Sequence, residues 1–220
     1  FTGKQKDMSE ALHQFFNWDL DARLHPATFQ SSNAFRRRYC YTEATSSALE
    51  AHERSLRALY AIYAADGKEN EGDRAASLSL ETTKLMSHDE WTRFCRDMRL
   101  VDREFTPREA TLCFVWSRMR VVDESCATSR RRLVHLGFED FLEAIVRLCT
   151  MKALPTDDQI DEAGAEDAGE FILELQKDPK AWDNFLSENE QTWDVEPPQP
   201  IARCVDHLLT LLVRVVELNT

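Results

Sequence analysis

Apolar positions along the chain recur at helical spacing. Trp91, Phe94, Cys95 and Met98 fall at i, i+3, i+4 and i+7, and so do Leu112, Val115, Trp116 and Met119. Phe138, Phe141, Leu142, Ile145 and Cys149 repeat the pattern in a third segment. Upstream, a helix from Thr42 or Thr45 to about Ala65 sets Leu49, Leu56, Leu59, Tyr60 and Tyr63 on one face. A short helix is predicted over residues 6–16, with Leu12, Phe15 and Phe16 inward, followed by a packed loop over residues 16–20. The polar stretch 66–83, carrying Gly67 and Gly72, reads as an insertion. Downstream, Thr156-Asp157-Asp158-Gln159 and Asp178-Pro179 mark helix starts, and Pro197-Pro198-Gln199-Pro200 is a stiff break. Residues 201–218 are apolar almost all round, which is the pattern of a helix that is buried or partnered. The fold class predicted is all-α, one helical unit over residues 1–220. Its core is 45–152, followed by an acidic helical segment 153–200 and a C-terminal helix 201–218 that packs back on the core.

Two turns organise the centre. Met86-Ser87-His88-Asp89-Glu90-Trp91 and Leu136-Gly137-Phe138-Glu139-Asp140-Phe141 share one plan: an apolar residue, a carboxylate four positions on, then an aromatic. That is the closing half of an EF-hand, where the apolar residue pairs its backbone with the sister loop. Between them Thr106-Pro107-Arg108-Glu109 has the composition of a capping box. Calcium chemistry is another matter. A working loop needs oxygen ligands at positions 1, 3 and 5, Gly at 6 and Glu at 12. Counting from Met86 gives Ser79, Glu81, Thr83, Lys84 and Glu90; counting from Leu136 gives Ser129, Arg131, Leu133, Val134 and Asp140. Lysine at one hinge and arginine at one ligand position predict that neither loop holds calcium, and no cofactor is expected.

Composition sharpens this picture. Six Gly and seven Pro against 30% charged residues favour helices over a many-turned β architecture. No charge-free apolar run approaches the roughly 20 residues of a membrane span. The six cysteines stand singly, as small hydrophobes do in a reducing compartment. The net charge of −12 lies wholly in residues 153–200, with fourteen Asp and Glu against two Lys, which weighs against nucleic acid as a partner there. In the neutral remainder, Arg36-Arg37-Arg38 and Arg130-Arg131-Arg132 are compact basic clusters, read as loops that could dock on an acidic partner. There is no phosphate-binding Gly-rich loop, no GxSxG elbow, no HExxH pair and no Cys/His zinc spacing. The six histidines share no face, so a non-enzymatic role is expected.

Residues 86–97, followed by Thr106, Phe114 and Leu136 to Phe141 with Ala144, resemble the core domain of the tubulin polymerisation-promoting protein family. In that family a W-x-x-x-C-x-D helix precedes a Thr-started helix, a basic loop and an aromatic step. Trp91, Cys95, Asp97, Phe114, Phe138 and Phe141 occupy the matching places. The chain departs from the pattern at Trp116-Ser117-Arg118, where the family is lysine-rich, and in its added terminal helices. The resemblance covers roughly residues 50–150 and extends to EF-hand-like proteins of flagellated protists. It implies a calcium-independent cytoskeletal protein without catalysis, with tubulin or an axonemal protein as partner and a cytoplasmic, cytoskeletal or flagellar setting. The alternative expectation is a helix-binding adaptor that offers an apolar groove to a peptide.

Overall fold

The turn residues set the frame. Ser87 caps the helix His88–Asp97 through a reciprocal box: its hydroxyl accepts from Glu90 N (3.3 Å) and Glu90 Oε2 accepts from Ser87 N (2.6 Å). At the second turn Gly137 has no side chain, so only the return half exists, with Asp140 Oδ2 accepting from Gly137 N at 2.9 Å. Immediately before each cap, Met86 and Leu136 form an isolated antiparallel bridge, with N–H···O distances of 2.9 and 2.8 Å in the two directions. Both residues are fully buried, and the Tyr60 hydroxyl donates to the Leu136 carbonyl at 2.9 Å. Two apolar side chains of this size contribute about 1.5–3 kcal/mol each on burial, so the bridge is held by packing more than by its two hydrogen bonds.

The computed structural model describes residues 31–64, 85–118, 125–193 and 195–219. Within them lie eleven α-helices: α1 Ser32–Phe35, α2 Glu43–Ala51, α3 Glu53–Tyr63, α4 His88–Asp97, α5 Pro107–Ser117, α6 Ala127–Val134, α7 Phe138–Cys149, α8 Asp157–Ala163, α9 Ala168–Leu175, α10 Pro179–Glu188 and α11 Ile201–Leu218. A π-helical turn, Arg36–Cys40, closed by Tyr41 N to Arg36 O (2.9 Å), continues α1. The all-α fold read from the spacing is the fold observed, and among the described residues no helix is long and apolar enough to cross a membrane. The predicted helix over 6–16, the loop over 16–20 and the insertion 66–83 lie outside the described residues.

One buried cluster runs from Phe35 to Val215. Its centre is aromatic: Trp91 stacks on Phe94 (5.5 Å), and Phe141 meets Phe94 (5.5 Å) and Tyr60 (5.5 Å). Trp91 Nε1 donates to Ala110 O (2.8 Å), which ties α4 to α5 while satisfying the indole. α11 buries eight residues against α9, α2 and α7, so the nearly all-apolar C-terminal helix is an interior strut of this chain. A smaller cluster, Ala153, Phe185 and Leu186 with Trp182, seats α10.

Four expectations are corrected. The long helix from Thr42 to Ala65 is two helices, because the chain breaks at His52 (φ −107°, ψ 13°). On α5 the buried face is Ala110, Cys113, Phe114 and Ser117, whereas Val115 is exposed. The sequence there is apolar on several sides, so spacing alone does not select the inward face. Glu109 does not reach back to the cap's N–H; the Thr106 hydroxyl donates to its carboxylate instead. Finally, the residues counted as the second calcium loop, Ser129 to Val134, are helical in α6.

The turn after α4 carries the one non-glycine residue with positive φ among those described, Arg99 at +54°. Arg99 N bonds Arg96 O and Leu100 N bonds Cys95 O, the paired bonds of a Schellman stop, and Leu100 is fully buried behind it.

Candidate docking surface at the end of α5

The C-terminal turn of α5 is where two arginine-bearing segments arrive. The Ser32 hydroxyl donates to Trp116 O (3.3 Å), anchoring α1 and the π-turn. Arg118 Nη1 donates to Leu133 O (2.6 Å), anchoring α6, while its Nε bonds Val115 O (3.3 Å). The two clusters, far apart in sequence, are thus both tethered to residues 115–118, although no hydrogen bond or ion pair joins them directly. Both were expected in loops; one lies in a π-turn and the other in a helix.

Their members have different fates. Arg36 is mostly buried, and its Nε donates to Glu143 Oε2 at 2.6 Å. Its pKa is raised: burial works to lower it, and the hydrogen bond and charge of Glu143 outweigh that. Arg37 is exposed and, among the described residues, donates to Asn33 O alone (3.3 Å). Arg38 pairs with Glu196 where both side chains are more than half exposed, an arrangement worth little in water. On α6, Arg130 Nη2 touches Ser125 O (3.4 Å), and Arg131 and Arg132 meet no carboxylate among the described residues. Their position in the last turn suits the negative end of the helix, and His135 Nδ1 donates to Arg131 O (2.8 Å) to finish it. Val134, 54% exposed, and Val115, 39% exposed, lie on the same elements.

Beneath the π-turn lies a polar group that no sequence motif signals. The Arg147 side chain on α7 is fully buried. Glu143 Oε1 accepts from its Nε (3.0 Å) and Nη2 (2.8 Å), while Nη1 has no hydrogen-bond acceptor. The Phe35 ring covers the guanidinium at 4.1 Å and Trp116 flanks it at 5.9 Å. Ser117 Oγ, also buried, lacks a partner. The i, i+4 spacing of Glu143 and Arg147 was visible in the sequence, but on an exposed face it would mean little; burial alone makes it a site.

Burial, with the Glu143 carboxylate adding, pushes the Cys40 thiol up to about 12, and burial pushes Cys204 up to about 11. Burial also raises Cys95 and Cys149 well above the ordinary thiol value, which is the reverse of what a nucleophilic thiol needs. The Lys152 ammonium is buried, donates to Leu100 O (3.0 Å), pairs with Asp102 and faces Trp182 (5.5 Å). Its burial lowers its pKa. An open cleft of about 380 Å³ lies between Arg99, α9 and the end of α11, where Lys177 and Arg214 are already paired with Glu174, Glu166 and Asp167. Among the described residues no group of His, Cys, Asp and Glu is disposed to hold a metal ion. No protein-family model, no curated protein and no solved structure matches this chain.

Proposed function

We propose that this chain is a non-enzymatic cytoskeletal adaptor built on an EF-hand-like pair of turns, and that it docks on an acidic protein surface through α6. The observation that carries this reading is the row Arg130, Arg131 and Arg132, exposed on one short helix and meeting no carboxylate among the described residues, in a chain of net charge −12. Guanidinium forks match carboxylates in pairs, and a rigid helix presents three of them at fixed spacing. Arg37 extends the surface from the neighbouring π-turn, whereas Arg36 is committed to Glu143 and Arg38 meets Glu196. The acidic tail of tubulin, or an axonemal protein of similar charge, is the partner that the sequence resemblance favours. The paired turns act here as a scaffold, with Met86 and Leu136 bridging and no role for calcium.

Microtubule co-sedimentation across a salt series tests this. Pelleting that fades as salt rises, ignores calcium and chelator, and falls several-fold in an Arg130→Ser, Arg131→Ser, Arg132→Ser variant is expected. If the variant pellets like the parent, with the same salt dependence, the reading is wrong.

A further inference from the structure

We propose that α1 and the π-turn are the resident occupant of a peptide seat between α5 and α7, which also accepts a partner helix carrying an aromatic residue followed by arginine. Three observations carry this, none of which depends on the α6 reading. First, the segment is held as a docked ligand is held, by anchors rather than by area. Of residues 31–41 Phe35 alone is fully inside, Tyr39 and Cys40 are half-buried against the core, Arg36 pairs with Glu143, and Asn33, Ala34, Arg37, Arg38 and Tyr41 are exposed. Second, its backbone continues as a π-turn, a rare geometry that recurs at functional sites. Third, the present occupant leaves the seat unsatisfied. Arg147 is fully buried, yet its Nη1 has no hydrogen-bond partner among the described residues.

The chemistry of the partner follows from these contacts. An aromatic ring replaces Phe35 over the guanidinium, where the 4.1 Å approach defines the slot. An arginine takes the Glu143 oxygen that Arg36 now holds. An acceptor oxygen, carboxylate or carbonyl, meets Arg147 Nη1. That last bond is what lets a free partner compete with a segment tethered at high effective concentration. Trp116, on the rim of the slot at 5.9 Å from Arg147, reports occupancy by fluorescence.

The test uses the full chain with Phe35→Ala, which empties the anchor position, and Arg36→Ala, which loosens the segment without touching the core. The first probe is a capped peptide of residues 31–41. It is expected to bind either variant about tenfold or more tighter than the parent, whose seat is closed. The second pair of probes is 3-phenylpropionate and phenethylammonium, which share a ring and differ in charge. The carboxylate is expected to raise the Tm of Phe35→Ala and the ammonium to leave it unchanged, with neither acting on the parent. Equal peptide binding by parent and variants, or no binding by an Arg36→Ala chain that unfolds cooperatively, overturns the proposal. Equal stabilisation by both small probes also overturns it, because the free N–H of Arg147 would then play no part. Substituting Arg130 to Arg132 leaves peptide binding unchanged, so failure here and failure of the α6 reading are told apart.

Discussion

Gly169 is where two opposed effects on stability can be separated by size. It is buried in the first turn of α9, where α9 crosses α11. A Cβ added there would meet Thr210 O at 2.8 Å, Arg214 Cγ at 2.8 Å and Leu211 Cα at 3.0 Å. Two of these atoms are backbone of α11, which cannot retreat without disturbing its own eight buried side chains. The third belongs to an arginine held by Asp167 (2.9 Å) and Glu166 (2.8 Å), so it cannot swing aside freely either. Alanine in place of glycine gains up to about 1 kcal/mol of helix propensity, whereas overpacking a rigid contact costs about 1–3 kcal/mol and sometimes more. The clash therefore wins, and Gly169→Ala is expected to lose about 2 kcal/mol net. In a chain of this length that lowers Tm by roughly 4–8 °C in a thermal melt. Gly137→Ala is the control, since its Cβ would meet only Asp140 Oδ2 at 3.4 Å and Glu139 Oε2 at 3.6 Å. It should stay within about 0.5 kcal/mol of the parent. A Gly169→Ala protein as stable as the parent would mean that α9 and α11 do not approach this closely, and the packing of the acidic segment would have to be redrawn.

Two further expectations concern charge. Glu143→Ala strands the buried Arg147 guanidinium and should cost about 3–5 kcal/mol in urea unfolding at constant slope, whereas Glu143→Leu with Arg147→Met should stay within about 1–2 kcal/mol of the parent. A single substitution as mild as the double would show that Arg147 is hydrated. The second concerns acid. The hydrogen bond from Arg203, aided by His207, holds Asp157 below the usual carboxylate range. At Asp167 burial pushes upward, but the Glu170 and Gly169 N–H groups and Arg214 outweigh it and the net shift is downward. Folded values below the unfolded value of about 3.9 mean stability that is present above about pH 4 and lost as pH falls through the folded values. Urea midpoints measured from pH 5 to pH 2 should therefore drop less steeply for Asp157→Asn with Asp167→Asn, and an unchanged slope would exclude these pairs as the source.

What the sequence made legible was local. The cap at Thr156, the pairing of Met86 with Leu136 and the span of α11 all follow from short local motifs or from one sustained pattern. The break at His52 did not, because nothing in Ala51-His52-Glu53 forbids a helix; the interruption comes from packing α2 on α11 and α3 on α4. The buried side of α5 did not either, because Leu112, Cys113, Phe114, Val115 and Trp116 offer apolar surface in nearly every direction. Nothing local marks Phe35 as a core residue, since its burial depends on a helix more than a hundred positions away.

The arginines show why adjacency in sequence is a poor guide to shared chemistry. Arg36, Arg37 and Arg38 form one run, yet the π-turn sends the first into Glu143 and leaves the second in water. The third meets an exposed carboxylate. Charge that is already paired steers nothing, because its field is cancelled within a few ångströms by its own partner. Among the described residues the run Arg130–Arg132 meets no carboxylate, and it is linked to the π-turn through the carbonyls of Val115, Trp116 and Leu133. The charge-steered contact proposed at α6 and the anchor-driven contact proposed at the Phe35 seat would therefore share one end of α5 while resting on different physics. Salt separates them. Raising ionic strength weakens the exposed arginines and leaves the buried ring and guanidinium nearly untouched, so a partner that uses both is held by the seat and guided by the helix.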